Sequence, residues 1–178
     1  MVSPSVVVVG LWMLIVAQRL LELRVAKRNE AWAREHGAVE RGAGHYPLFF
    51  VLHTGWLLAW PVEAWLGGPR LVAGWWLALA AFGVAQLLRY WSITSLGQRW
   101  NTRILVLPGE PRLRVGPYRF IPHPNYVAVI IELAAAPLCF GAWWTAAIVS
   151  VLNLALLLGV RIPAEARALD DAEAPRPS

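Results

Sequence analysis

The sequence predicts an all-α integral membrane protein of about five transmembrane helices, the last two forming a helical hairpin. Three observations carry that expectation. Of the 178 residues, 58% are hydrophobic, only 15% are charged and 11 are Trp. A water-soluble domain of this length is more polar and has no interior large enough for so much apolar surface. Several apolar runs approach or exceed the roughly 20 residues that cross a bilayer. Finally, the basic residues gather in alternate connections between those runs, the pattern that sets orientation in a membrane. The formal net charge of +5 therefore speaks to topology and not to a nucleic-acid-binding stripe.

The elements follow in order. Val6 to about Leu23 forms the first span, with Arg19 and Glu22 on one helical face near its end. Lys27, Arg28, Arg34 and Arg41 crowd the next connection, and Gly42, Gly44 and Pro47 mark a turn. Pro47 to about Trp65 is the second span, and its Trp56, Trp60 and Trp65 are expected to face lipid or the interface. Gly67, Gly68 and Pro69 turn the chain into a third span, Leu71 to about Ile93, where Gln86 and Arg89 make one face polar. Ser92 to Asn125 is a long polar connection. Val127 to Val160 then carries a single charge, Glu132. As one helix it would measure about 50 Å against a hydrocarbon core of about 30 Å. Pro137 and Gly141 therefore predict a reversal, with helices at about Tyr126–Phe140 and Trp143–Gly159.

The charge alternation puts the basic connections and the C-terminus in the cytoplasm and the N-terminus outside. Residues 1–169 form one membrane domain. Residues 170–178, with Asp170, Asp171, Glu173, Pro175 and Pro177, read as a disordered tail. The first apolar run lacks the basic flank and cleavage site of a removable signal peptide. Cys139, the single cysteine, excludes an intrachain disulfide and reads as a packing residue.

The polar connection contains the stretch that organises the chain, RLRVGPYRFIPHPNY from Arg112 to Tyr126. Its glycine, prolines and aromatics are more than a spacer needs. Gly116 permits a sharp bend, and Tyr118 offers a ring and a hydroxyl. Pro122 and Pro124 restrict the backbone around His123, which either preorganises its imidazole for a ligand or caps the next helix. Tyr126 is placed to stack on a planar ligand or to mark the interface. Glu132, two turns into an apolar helix, needs a partner or a polar pocket; a cationic cofactor or an arginine would serve. Arg161 and Glu165, four apart, return to the same side of the membrane, with Pro163 suited to starting their helix. His36, His45, His53 and His123 form no metal-ligand pattern with acids or with the cysteine. No phosphate-cradling glycine loop, serine elbow or alternating strand–helix pattern is present.

Over nearly its whole length the chain resembles the isoprenylcysteine carboxyl methyltransferase family, and within it the short bacterial branch. The likeness rests on RLLELRVAKRNEAW (Arg19–Trp32), GHYPLFFVLH (Gly44–His53), LGQRWNTRI (Leu96–Ile104), GPYRFIPHPNY (Gly116–Tyr126) and RIPAEARAL (Arg161–Leu169). Two positions depart from the family pattern: Pro122 stands where arginine usually precedes His-Pro, and Ala166 replaces the second of a glutamate pair. The resemblance implies S-adenosylmethionine as cofactor, bound by Gly116, Tyr118, His123, Pro124, Tyr126 and Glu132, with Arg161 and Glu165 catalytic. It also implies methyl transfer to an oxygen of a lipophilic small-molecule or prenylated acceptor arriving from the bilayer. A long-chain phenol or pyrone, a sterol or phospholipid substrate, and a noncatalytic membrane protein are the alternative readings. A bacterial cytoplasmic membrane location follows from the branch.

Overall fold

The computed structural model describes residues 3–173. Among the described residues the fold is helical, with one small two-stranded sheet. Helix α1 (Pro4–Glu35) begins with proline in its first turn, where a missing N–H costs little. Its 32 residues make a rod of about 48 Å, so its charged C-terminal third extends past a hydrocarbon core of about 30 Å. Helices α2 (Tyr46–Leu66) and α3 (Trp75–Leu96) follow. A long connection leads to α4 (Pro124–Leu138), and α5 (Trp143–Leu156) passes through a π-helical turn at Leu157–Arg161 into α6 (Ile162–Glu173). Among the described residues, three segments are long and apolar enough to cross a membrane: Pro4–Glu35, Trp75–Arg99 and Trp143–Ala172. Helix α4, at 15 residues, is shorter than an ordinary span.

The apolar core lies among α1, α2, α3, α4 and α5. Two of the tryptophans expected at the lipid surface are in it: Trp56 and Trp60 are 1% and 0% exposed, whereas Trp65 is 56% exposed. The indole of Trp56 donates to the Leu133 carbonyl at 3.0 Å. Trp60 stacks on Phe140 with ring centroids 5.6 Å apart. A tryptophan can be buried among helices when its N–H finds a carbonyl or its face finds another ring, and apolar composition does not distinguish that from lipid contact. Gly141 (φ +75°) closes the turn between α4 and α5, where a Cβ would come within 3.0 Å of Val72.

Strands β1 (Val39–Arg41) and β2 (Ile104–Val106) pair antiparallel, with Glu40 opposite Leu105. Ile104 and Val106 pack on Ala168 of α6 to form a second, smaller core. This sheet joins the connection after α1 to the one after α3, and it holds α6 from behind. Helix α6 continues through Glu173, so residues 170–173 are helical and not the disordered tail expected from their composition. The remainder of that stretch, 174–178, lies outside the described residues.

Candidate functional site

The local geometry of Gly116–Tyr126 explains its odd composition. Gly116 has φ +51°, and a Cβ there would sit 1.9 Å from Ser95 Oγ and 3.1 Å from the Trp91 indole nitrogen. Only glycine lets the connection press so closely against α3. Pro117 is buried in the short 3-10 turn that follows. Tyr118 hydrogen-bonds Ser92 on α3, and burial with the nearby Glu165 charge pushes its phenol well above the ordinary value. Pro124 is the first residue of α4, fixing the helix start directly after His123.

This start brings four of the expected residues together. The His123 ring stacks on Tyr126, with centroids 5.2 Å apart and planes 17° apart. His123 Nδ1 lies 4.0 Å from Glu165 Oε1. The Tyr126 hydroxyl donates to Glu165 Oε2 in a short contact. It also accepts from Arg161 Nε at 2.9 Å. A second Arg161 nitrogen donates to the Thr102 carbonyl at 3.0 Å. The π-helical turn immediately before α6 aims Arg161 at Tyr126; such turns re-register a helix and recur at functional sites.

The electrostatics of Arg161 are unusual. The residue is 8% exposed, yet both partners are oxygens of uncharged groups. No carboxylate stands within ion-pair distance of it among the described residues. The Glu165 carboxylate is reached only through the Tyr126 hydroxyl, and a buried guanidinium held off its counter-charge in this way is costly. Asn125 Oδ1, also at the start of α4, is buried without a partner. It needs a donor.

Glu132 is not part of this group. It lies about 9 Å along α4 from Tyr126 and on a different face. Its side chain is fully buried, and one carboxylate oxygen takes short contacts from Arg19 of α1 and Arg89 of α3. Glu22 Oε2 pairs with Arg19 at 2.5 Å and with Arg89 at 3.4 Å. Gln18 links Glu22 and Gln86 at 2.9 and 2.6 Å. Of the two partners open to Glu132 in the sequence, the structure places arginines beside it.

Sequence reasoning missed Thr102, the acceptor carbonyl for Arg161, because a backbone group leaves no signature. It also missed His45 as a neighbour of Arg161. Burial and that guanidinium lower the His45 imidazole below its ordinary value.

Comparison with known proteins gives the chain a family. Residues 76–171 match the isoprenylcysteine carboxyl methyltransferase (ICMT) family. The uncharacterized protein YpbQ of Bacillus subtilis is 41% identical over 164 residues, covering 90% of this chain and 96% of the relative. An uncharacterized protein of Haemophilus influenzae is 28% identical over 156 residues, covering 87% of this chain and 90% of the relative. No solved structure matches. The matched segment contains α3, the loop, α4, α5 and Arg161 with Glu165, and the apolar helices are those of an integral membrane protein. The chain belongs to the isoprenylcysteine carboxyl methyltransferase family, whose members are S-adenosylmethionine-dependent methyltransferases.

Proposed function

We propose that the protein transfers a methyl group to an anionic oxygen of a lipophilic acceptor, at the junction of the Gly116–Tyr126 loop with the start of α6. The observation that carries this reading is Arg161: buried, positively charged, paired only with uncharged oxygens, and hydrogen-bonded to the tyrosine that also holds Glu165. An acceptor carboxylate or phenolate would complete it.

The chain's own residues fit the family's cofactor. The unpartnered Asn125 Oδ1 suits an amino or ribose hydroxyl donor. The stacked rings of His123 and Tyr126 offer aromatic faces to a planar base or a sulfonium. Gly116, Tyr118 and Pro124 set the loop in place. When bound, S-adenosylmethionine supplies a methyl group on a positively charged sulfur, which the acceptor oxygen takes as the sulfur leaves as a neutral thioether. Arg161 binds and orients the acceptor oxygen, which raises the fraction of productive encounters. Tyr126 holds the guanidinium and Glu165 in register. A carboxylate acceptor needs no base. For a phenol or pyrone acceptor, Glu165 is the group positioned to take the proton. Glu132 stays with its arginines and serves the site by fixing α4 against α3.

Membrane placement follows the same reading. Helices α2 and α4 join the three longer apolar helices as crossings, which makes five, with α4 and α5 as the closing hairpin. The site then lies on the cytoplasmic face, the N-terminus outside, and the acceptor tail in the bilayer, as suits the short bacterial branch.

Cofactor binding tests the proposal. Protein purified in detergent or nanodiscs should bind S-adenosylmethionine, and His123→Ala should weaken binding by about tenfold or more, the loss of one good contact. No binding by the parent protein in either medium would rule out the methyltransferase reading. Labelled methyl transfer into a prenylcysteine mimic and, separately, into a long-chain phenol would assign the acceptor. Pro122→Arg should raise cofactor affinity if the departure from the family pattern carries a cost.

A further inference from the structure

A polar cavity lies on the neighbouring face of α6. It has a volume of about 430 Å³ and is lined by Arg41, Gly42, His45, Gly159, Val160, Ala164, Arg167, Ala168 and Asp171. That size falls in the range of small-molecule sites. Val160 and Ala164 each directly precede a residue of the Arg161–Glu165 group, so successive side chains of one helix serve both places.

Its charges are unspent. Elsewhere on the polar face, Arg34 pairs with Glu30 and Glu40, Arg103 with Glu40, Arg99 with Glu110 and Arg112 with Asp170. Arg41, Arg167 and Asp171 have no ion-pair partner among the described residues. His45 Nε2 is buried without a hydrogen-bond partner. The imidazole folds back over Gly42, where a Cβ would lie 2.1 Å from His45 Cε1. With His45 neutral, two guanidinium groups against one carboxylate leave the cavity with one excess positive charge. The other lining is small and apolar, and Val151 and Leu152, about two turns before it on the same helical rod, are 67% and 49% exposed. A polar, cationic pocket thus opens beside an apolar helix surface suited to lipid.

We propose that this cavity is a capture site for the anionic head of a single-chain lipophilic acceptor, held by Arg41, His45 and Arg167 while its tail lies along Val151 and Leu152. Its assignment to the acceptor rests on the methyltransferase reading. The anion chemistry of the cavity does not. A membrane phospholipid headgroup would offer similar chemistry, so the test separates the two.

The full chain in phosphatidylcholine nanodiscs is titrated with oleate as the single-chain carboxylate probe and, separately, with S-adenosylmethionine. Binding of oleate should weaken by about tenfold in Arg41→Ala/Arg167→Ala, the loss expected when charge-assisted hydrogen bonds are removed. Asp171→Asn should strengthen it, and Arg41→Lys/Arg167→Lys should recover part of it. Cofactor affinity should be the same in all variants. These three lining residues are exposed, and the opposite sign expected for Asp171→Asn distinguishes the effect from misfolding. Unchanged oleate affinity in the double alanine variant would overturn the proposal. So would loss of cofactor affinity instead, which would give the cavity to the cofactor. Abolition of oleate binding on replacing a third of the bilayer with phosphatidylglycerol would overturn it too, by assigning the cavity to a headgroup. If the parent protein binds no S-adenosylmethionine while oleate binding still follows these charges, the methyltransferase reading fails and the anion site stands.

Discussion

Helix α4 carries residues of two charged assemblies that obey opposite rules. Around Glu132, two carboxylates and two arginines cancel in charge within the protein, with Gln18 and Gln86 hydrogen-bonded alongside, although Glu132 Oε1, Arg89 Nε and Gln86 Nε2 are buried without a partner. Around Tyr126, a buried arginine meets a phenol and a backbone carbonyl, and the Glu165 carboxylate stands beyond the phenol with no direct ion pair to it. Both remove charge from water at a cost. The first recovers it internally and ties α1 and α3 to α4. The second keeps its carboxylate, Glu165, one hydrogen bond away through Tyr126, and the proposed function uses the cation that this leaves without a direct ion pair. Charge closure separates an anchor from a site more sharply than burial, since Arg89 and Arg161 are both nearly buried, at 3% and 8% exposed.

The comparison breaks most easily at Glu132. Glu132→Gln strands two buried cations and should cost about 3–5 kcal/mol of stability, read as a lowered unfolding midpoint in detergent. Adding Arg89→Met to that variant should restore a substantial part. A single variant as stable as the parent would mean that water, not Glu132, neutralises the arginines.

Arg161→Met should behave in the contrary way. Methyl transfer should fall by about 10²–10³-fold, the loss typical of a charge-stabilising donor. The unliganded fold should lose no more than about 1 kcal/mol, because removal of an uncompensated charge offsets the lost hydrogen bonds. Unfolding midpoints and turnover measured on the same preparations decide this, and a large fall in stability would put Arg161 in the anchor class. Tyr126→Phe keeps the ring beside His123 but frees Arg161 from Glu165. A fall in turnover of about tenfold with retained cofactor affinity is expected, the cost of one charge-assisted hydrogen bond; unaltered turnover would remove Tyr126 from the alignment of the site.

The smallest effect concerns the sheet. Burial acts to raise the Glu40 carboxyl, but hydrogen bonds from Arg103 and Arg34 outweigh it and hold it below its ordinary value. A lowered folded value means that the ionised pair stabilises above the unfolded pKa, and that this contribution is lost as pH falls through the folded one. Glu40 is partly exposed, so the contribution is about 0.2–1 kcal/mol. Glu40→Gln should flatten that acidic segment of the stability–pH curve, and an identical curve would show the pair to be inert.

Membrane character was legible because apolar run length and charge alternation are properties of the linear chain. So was the neighbourhood of His123, Tyr126, Arg161 and Glu165, through Gly116, the prolines and the spacing of four. The fate of the tryptophans was not: Trp56 and Trp65 have the same composition around them, and only helix packing buries one and exposes the other. Helicity past Leu169 was hidden as well, since Ala168 and Ala172 gain their partners from strands far away in sequence.

The amino-acid order by itself determined that long apolar helices form and where the backbone must bend. Which charges meet was left to the tertiary structure. Ion pairing depends on distances across helices that share no sequence proximity, and the same arginine is an anchor beside a carboxylate and a ligand site beside a phenol.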